Sequence, residues 1–204
     1  MRATPSKLWL GVGTLWLLVG CAGQDQATTR AAADAGVPAY VLSSKGCAVL
    51  AGGGIGSAFA DPKITRFWSE VNKQVTDRLY ELLTAAKYRS TKLIVAPEDT
   101  RNTERLVVQG MSSNRCSRLI QLSHTVNEDA AGKFFRFDVA VMHLEPSRTR
   151  ASGAGGTNVV TVGDYSREYR YARDARTFET FDTGKMAATV FADLQKSGAL
   201  EPLR

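Results

Sequence analysis

Side chains that commonly bind metals or act as nucleophiles are scarce in this chain. Its 204 residues include only two histidines and three cysteines. A zinc site needs three or four ligands, and neither His124 nor His143 lies in an H-x-x-x-H spacing or beside a cysteine. The sequence therefore predicts no metal and no other cofactor. Both histidines are expected on the inward faces of neighbouring strands, as hydrogen-bonded structural residues that can approach one another.

Sequence signatures of nucleotide and hydrolase sites are also absent. The glycine-rich stretch over residues 52–57 lacks the Gly-Lys-Ser/Thr ending of a phosphate-binding loop and the G-x-G-x-x-G spacing of a dinucleotide loop. Ser123, His124 and Asp138 supply the residue types of a hydrolase triad, but no G-x-S-x-G turn accompanies them. Adjacent residues of a strand also point to opposite faces. We therefore predict no catalytic residue, and the alternative is a hydrolase whose site is dispersed.

Basic residues are scattered along the chain rather than massed in one stripe, although the formal net charge is +6. A nucleic-acid-binding protein needs a basic surface with aromatic platforms. Carboxylate pairs such as Glu98-Asp99 and Glu128-Asp129 are expected to be solvated in turns or on outer faces. The sequence therefore predicts no nucleic-acid partner.

The longest apolar stretch, residues 8–20, lies at the amino terminus and is shorter than the roughly 20 residues of a transmembrane helix. Arg2 and Lys7 precede it, which is the layout of an export signal. It ends in Leu18-Val19-Gly20-Cys21, which resembles the lipobox of bacterial lipoproteins. An ordinary secretory signal with a chance cysteine is the alternative.

The lipobox resemblance implies cleavage before Cys21 and acylation of that cysteine, a stable membrane anchor. Ala22 stands where aspartate would mark retention in the inner membrane. For a Gram-negative source this implies an outer-membrane lipoprotein facing the periplasm. We divide the chain into a signal peptide (1–20), a lipidated flexible tether (21–38) and a periplasmic domain (39–204).

Two further cysteines, Cys47 and Cys116, remain once Cys21 carries the anchor. An even pair in an oxidising compartment favours a disulfide. Each of the two opens an apolar segment, so the starts of two neighbouring strands would bring them within bonding distance. Two buried, unpaired cysteines are the alternative.

Hydrophobic periodicity predicts the order β-α-β-α-β-β-β-α. Asp61 and Pro62 start the clearest helix, in which apolar residues recur at three- and four-residue steps as far as Leu83. A second helix is predicted over 103–111, and a last one through Met186 to Leu200 with Gly198 as its stop. A hairpin loop of about seven residues, 127–133, joins the third and fourth strands. The predicted strands are 46–50, 88–95, 116–126, 134–144 and 159–171.

This order predicts a single α/β (α+β) domain built on one mixed sheet, because helices separate the early strands while the late strands form a meander. The arrangement resembles the amino-terminal domain of TolB and the similar domains of periplasmic assembly lipoproteins, including the curli secretion lipoprotein and the activators of penicillin-binding proteins. The resemblance lies in element order over residues 46–198 and transfers no site residue.

Tyrosine and arginine alternate in the last strand, at Tyr165, Arg167 and Tyr169. Both residue types are enriched at binding hot spots. These three residues are therefore our candidate binding site; the alternative is that the tyrosines only cover the core. Anchor, tether and small domain together predict a non-catalytic binding or assembly module for an envelope protein or peptidoglycan.

Overall fold

The computed structural model describes residues 46–56, 61–130, 132–146, 159–172 and 175–204. The predicted signal peptide, the tether and Cys21 lie outside the described residues. Within the described ranges, no helix combines the length and the apolar character needed to cross a membrane.

The predicted α/β element order is confirmed, with one short helix added. Two 3₁₀ turns, Pro97–Asn102 and Glu201–Leu203, complete the described structure. The elements in chain order are β1 (Ala48–Gly53), α1 (Pro62–Ala85), β2 (Ser90–Val95), α2 (Thr103–Asn114), β3 (Arg118–Asp129), β4 (Gly132–Pro146), β5 (Val159–Ala172), α3 (Ala175–Thr180) and α4 (Thr183–Lys196).

All five strands belong to one mixed sheet in the order β2-β1-β3-β4-β5. β1 runs parallel to both β2 and β3. The β3–β4 and β4–β5 pairs are antiparallel. Parallel neighbours need a crossover connection, and α1 and α2 provide it, whereas the meander needs no helix.

Helix α1 begins where its sequence signals place it. The Asp61 carboxylate accepts a hydrogen bond from the backbone N–H of Lys63 at 2.8 Å, and Pro62 occupies the first turn. Its apolar stripe packs on β1, and Trp68, Val75 and Leu79 have no exposed surface. With about 1.5–3 kcal/mol for each large apolar side chain, this burial stabilises a helix that has little intrinsic preference to form alone.

The sheet separates two hydrophobic cores. The larger core lies under α1 and α4 and includes Trp68, Phe135 and Phe137. Its aromatic rings are in contact, with Trp68 and Phe135 centroids 4.4 Å apart. The smaller core lies on the other face, under α2, and includes Val49 and Met111. Both faces of β1 are therefore buried, as in parallel sheets generally.

The predicted seven-residue hairpin loop between the third and fourth strands is wrong. Residues 127–129 belong to β3 and residues 132 and 133 to β4, and Asp129 pairs directly with Gly132. β1 also extends past the predicted strand 46–50, through Gly52 and Gly53. A side chain on Gly52 would place its Cβ only 1.9 Å from the Thr76 hydroxyl oxygen, so glycine permits the close approach of α1.

The expectation that the two histidines approach each other is wrong. His124 faces Phe137 across the β3–β4 pair, whereas His143 faces Arg118. Positions 118 and 124 are six residues apart on β3 (124 − 118 = 6), about 20 Å at roughly 3.4 Å per residue. The two histidines therefore lie at opposite ends of the paired strands, although the strands are neighbours.

Cys47 and Cys116 form the predicted disulfide. Cys47 directly precedes β1, and Cys116 lies two residues before β3; these two strands pair in parallel, with Ala48 opposite Arg118. The Cα atoms of the two cysteines are 4.9 Å apart. The bond joins the starts of two neighbouring strands, as the sequence predicts, and both cysteines are buried.

Candidate functional site

The tyrosines of β5 face helix α4. The Tyr169 hydroxyl donates a hydrogen bond to Asp193 Oδ2 at 2.7 Å, and the Tyr171 hydroxyl lies 2.9 Å from Met186 Sδ. Burial and the Asp193 carboxylate raise the pKa of Tyr169 above its ordinary value. The rings are half-buried against the larger core. They therefore contribute to the domain's stability.

Arg167 is the exposed member of the predicted site. One guanidinium nitrogen, Nη1, lies 2.8 Å from Asp193 Oδ1, and the guanidinium carbon is 5.5 Å from the Tyr169 ring centroid. Its side chain retains 52% exposure, so the charge stays solvated while it stacks. The structure thus brings Tyr169 and Arg167 together on one carboxylate. The role of Tyr165, Arg167 and Tyr169 in binding stays a prediction.

Asp193 is a functional candidate that sequence reasoning missed. It lies next to Leu194 on the apolar side of α4, where a carboxylate is unusual unless it has partners. Its side chain is 16% exposed and holds both Tyr169 and Arg167. The sequence feature that could have identified Asp193 is a carboxylate beside the apolar stripe of a predicted helix.

The opposite side of the meander is an open sheet face. Helix α2 packs on β1 and β2, and no helix in the described ranges packs on this side of β4 and β5. Arg136 bridges Asp138 at 2.9 Å and Glu168 at 3.2 Å. Arg170 also contacts Glu168 at 3.2 Å. The result is a charged ladder of both signs, directed away from the two cores.

Between α2 and this open sheet face runs a groove of about 460 Å³, the α2 groove. Six of its thirteen lining residues are aliphatic or methionine, and the other seven are polar or charged. Met142 and Leu144 on its floor are half-buried. The lining is Thr100, Arg101, Thr103, Glu104, Val107, Val108, Met111, Leu119, Gln121, Met142, His143, Leu144 and Thr161.

One end of the α2 groove is a carboxylate cluster around His143. Its Nδ1 lies 2.7 Å from Asp164 Oδ1, and its Nε2 lies 3.0 Å from Glu145 Oε1. Arg118 also bonds Asp164. A general base needs one ring nitrogen directed at the proton it removes. Because carboxylates occupy both nitrogens, this cluster is an ion-pair network and gives no support for catalysis.

Ser123, His124 and Asp138, which supply the residue types of a hydrolase triad, are not brought together. Ser123 faces Asp138 across the β3–β4 pair, but neighbouring His124 lies on the other face, in the larger core. His124 is 2% exposed, and its Nδ1 lies 3.1 Å from the amide nitrogen of Asn72. Burial lowers the pKa of His124 to about 4. For His124 the structural role predicted from the sequence agrees with this environment, whereas His143 is at the surface.

No protein-family model matches the chain, and no curated protein does. One solved structure with a detectable likeness is that of the hypothetical protein CT253 from Chlamydia trachomatis, at 12% sequence identity. The match covers 76% of this chain and 97% of that chain, with a TM-score of 0.32. A likeness of this degree carries no functional information.

Proposed function

We propose that this chain is a lipid-anchored periplasmic binding module that holds a segment of another envelope protein in the α2 groove. The observation that supports this most directly is the groove itself. Met142 and Leu144, which line it, pack against the smaller core but stay half-buried, beside a sheet face that no described helix covers. Accessible apolar concavities with a polar rim are typical of protein recognition sites.

The composition of the groove favours a protein segment over peptidoglycan. A glycan strand carries hydroxyl and amide groups along its length, and these lose water where they are laid on apolar side chains such as Met142 and Leu144. Each such group left without a hydrogen bond costs about 1–3 kcal/mol. An apolar peptide side chain has no such cost, and the methionines Met111 and Met142 can adapt to its shape.

The charged ladder beside the α2 groove is a second, polar surface that the same protein partner would contact. Arg136, Glu168 and Arg170 lie beside one another on the open sheet face, with Asp138 next to them. Charges at the rim of an interface set orientation and association rate more than affinity. An apolar groove beside a mixed-charge platform thus suits a protein partner of matched charge.

The lipid anchor is tested by Cys21→Ser. We expect this variant to remain an unlipidated precursor and to be lost from the membrane fraction, because the thiol is the acylation site. Incorporation of labelled palmitate, followed by membrane fractionation, measures this. Palmitate labelling of the variant at the wild-type level would contradict the anchor.

The groove is tested by Val108→Glu, which adds a charge to its α2 wall. We expect recovery of the crosslinked envelope partner to fall about ten-fold or more, since an unpaired charge facing an apolar segment opposes binding. The measurement is quantitative mass spectrometry after crosslinking in intact envelopes. A matched control is Leu106→Glu, on the same helix and also half-buried, but outside the groove lining.

Equal losses in Val108→Glu and Leu106→Glu, at equal melting temperatures, would show that the groove is not the binding surface. Recovery of glycan adducts alone would favour the alternative, a periplasmic hydrolase with a dispersed site.

A further inference from the structure

The outer edge of β5 is an unused pairing surface within the described sheet. β5 is last in the strand order and pairs with β4 alone. It is 14 residues long, and its pairing with β4 is regular over residues 165–172, beyond the irregularity near Asp164. A long edge strand presents backbone N–H and C=O groups that can pair with another strand. We propose that two copies of this chain pair through β5, antiparallel, to extend the sheet across both.

Symmetry restricts how two β5 strands can pair. Residues that face each other across an antiparallel pair share one side of the sheet, and side chains alternate between the sides. A two-fold axis perpendicular to the sheet must therefore pass midway between one residue and the same residue of the other copy. With the axis at Tyr169, Glu168 of each copy faces Arg170 of the other. Facing side chains are about 5 Å apart at Cβ, and opposite charges there are stabilising.

The neighbouring registers lack this complementarity. A two-fold axis at Ser166 places Asp164 opposite Glu168, which is a repulsive pair. An axis at Tyr165 aligns no opposite charges and runs through the irregular part of the strand. The register centred on Arg167 aligns Asp164 with Arg170, but it also places Arg167 opposite its own copy and reaches the irregular part of the strand. The registers centred on Glu168 and Arg170 likewise place a charged residue opposite its own copy, which is destabilising. Of the registers centred on residues 165–170, only the one centred on Tyr169 aligns opposite charges within the regular part of the strand and no like charges there.

The same register gives the predicted binding residues a partner. On the side that faces α4, Tyr169 of one copy faces Tyr169 of the other, and Arg167 faces Tyr171. Arg167 is half exposed, so its guanidinium can stack on a second ring. Tyr171 also lines a pocket of about 310 Å³ between β5, α3 and α4, which leaves one side of its ring accessible. Charge pairing on one side of the sheet and ring stacking on the other thus favour the same register.

A charge swap on the full chain tests this dimer. We expect Glu168→Arg and Arg170→Glu each to weaken dimerisation about ten-fold or more, because each turns two symmetric attractive pairs into repulsive ones. The double variant, Glu168→Arg with Arg170→Glu, restores opposite charges and should recover the dimer. Sedimentation in density-matched detergent measures the dissociation constant.

Two further variants separate the dimer contact from effects inside one copy. Arg136→Gln removes the bond from Arg136 to Glu168 within the chain and should leave the dimer intact. Ser166→Cys combined with Ala172→Cys should form an intermolecular disulfide, because position 166 faces position 172 in this register, whereas Ser166→Cys alone should not. A wild-type chain that sediments as a monomer at every concentration would overturn the proposal. So would a dimer that survives both single charge reversals, since it would use another surface.

Discussion

Reduction of the disulfide between Cys47 and Cys116 should lower the free energy of unfolding by about 4 kcal/mol. The bond closes a loop with a sequence separation of 69 residues, and reduction lets the unfolded chain regain the entropy that the closed loop forbids. The two cysteines also anchor the starts of β1 and β3, the pair at the centre of the sheet. Denaturant unfolding of oxidised and reduced protein measures the difference.

The double variant Cys47→Ala with Cys116→Ala is the matched control for this loss. It removes the crosslink without reductant. Apart from the cost of the lost sulfur packing, we expect its free energy of unfolding to equal that of the reduced protein within about 1 kcal/mol. Quantitative thiol labelling of both cysteines in protein taken from its native compartment would overturn the bond. Equal stability of the oxidised and reduced forms would overturn its energetic role.

Acid should destabilise this protein by about 3 kcal/mol through His124 alone, between pH 6.5 and 4. Burial lowers the pKa of His124 from 6.5 to about 4, so the unfolded chain binds a proton in this window while the folded protein does not. Stability is therefore complete above pH 6.5 and falls by up to about 1.4 kcal/mol per pH unit as pH decreases. Below pH 4 both states carry the proton, and the His124 contribution no longer changes.

The surroundings of His124 explain why its charged form is disfavoured. Asn72, which has no exposed surface, donates its amide N–H to the carbonyl oxygen of Leu122 at 3.2 Å, and the same nitrogen lies near His124 Nδ1. Asn72 Oδ1 accepts the N–H of Gly53 at 3.1 Å. A protonated ring would carry a hydrogen on Nδ1 and meet this amide donor. The network therefore fits the neutral histidine.

The His124→Gln variant separates this effect from other titrations. Glutamine keeps a hydrogen-bond acceptor near Asn72 but does not titrate. We expect its unfolding free energy to depend less on pH than that of the wild type, with the difference developing between pH 6.5 and 4. Burial acts to raise the pKa of Asp77, but Lys92 and Lys73 lower it overall. Titration of Asp77 therefore changes stability only below its ordinary pKa of 3.8. Parallel pH profiles of the two proteins would contradict the assignment to His124.

Local sequence signals placed some elements well and others poorly. Helix α1 was predicted from Asp61, Pro62 and an apolar stripe, all of which act within the helix itself. The hairpin between β3 and β4 was misjudged because residues 127–129 are polar and look like a loop. Their strand conformation comes from the ladder to β4, with Glu128 opposite Lys133. Pairing with a partner strand outweighs the weak β preference of such residues.

The candidate site was also predicted only in part. Alternation of Tyr165, Arg167 and Tyr169 correctly places them on one side of a strand, since side-chain direction in a strand follows from position alone. The α2 groove was not predicted. Its walls come from α2, the 3₁₀ turn before it and strands β3, β4 and β5, which together run from residue 100 to residue 161, so no short window contains the signal.

The sequence by itself determined the α/β class, the mixed sheet, the helix α1 and the pairing of Cys47 with Cys116, because periodicity, capping and cysteine count are local or countable properties. Tertiary structure alone decided that Asp193 holds Tyr169 and Arg167, that Asn72 reaches His124, and that none of the described helices packs on one side of β4 and β5. These features depend on which surfaces meet when the chain folds. Burial and long-range hydrogen bonds determine these features, and residue type alone does not.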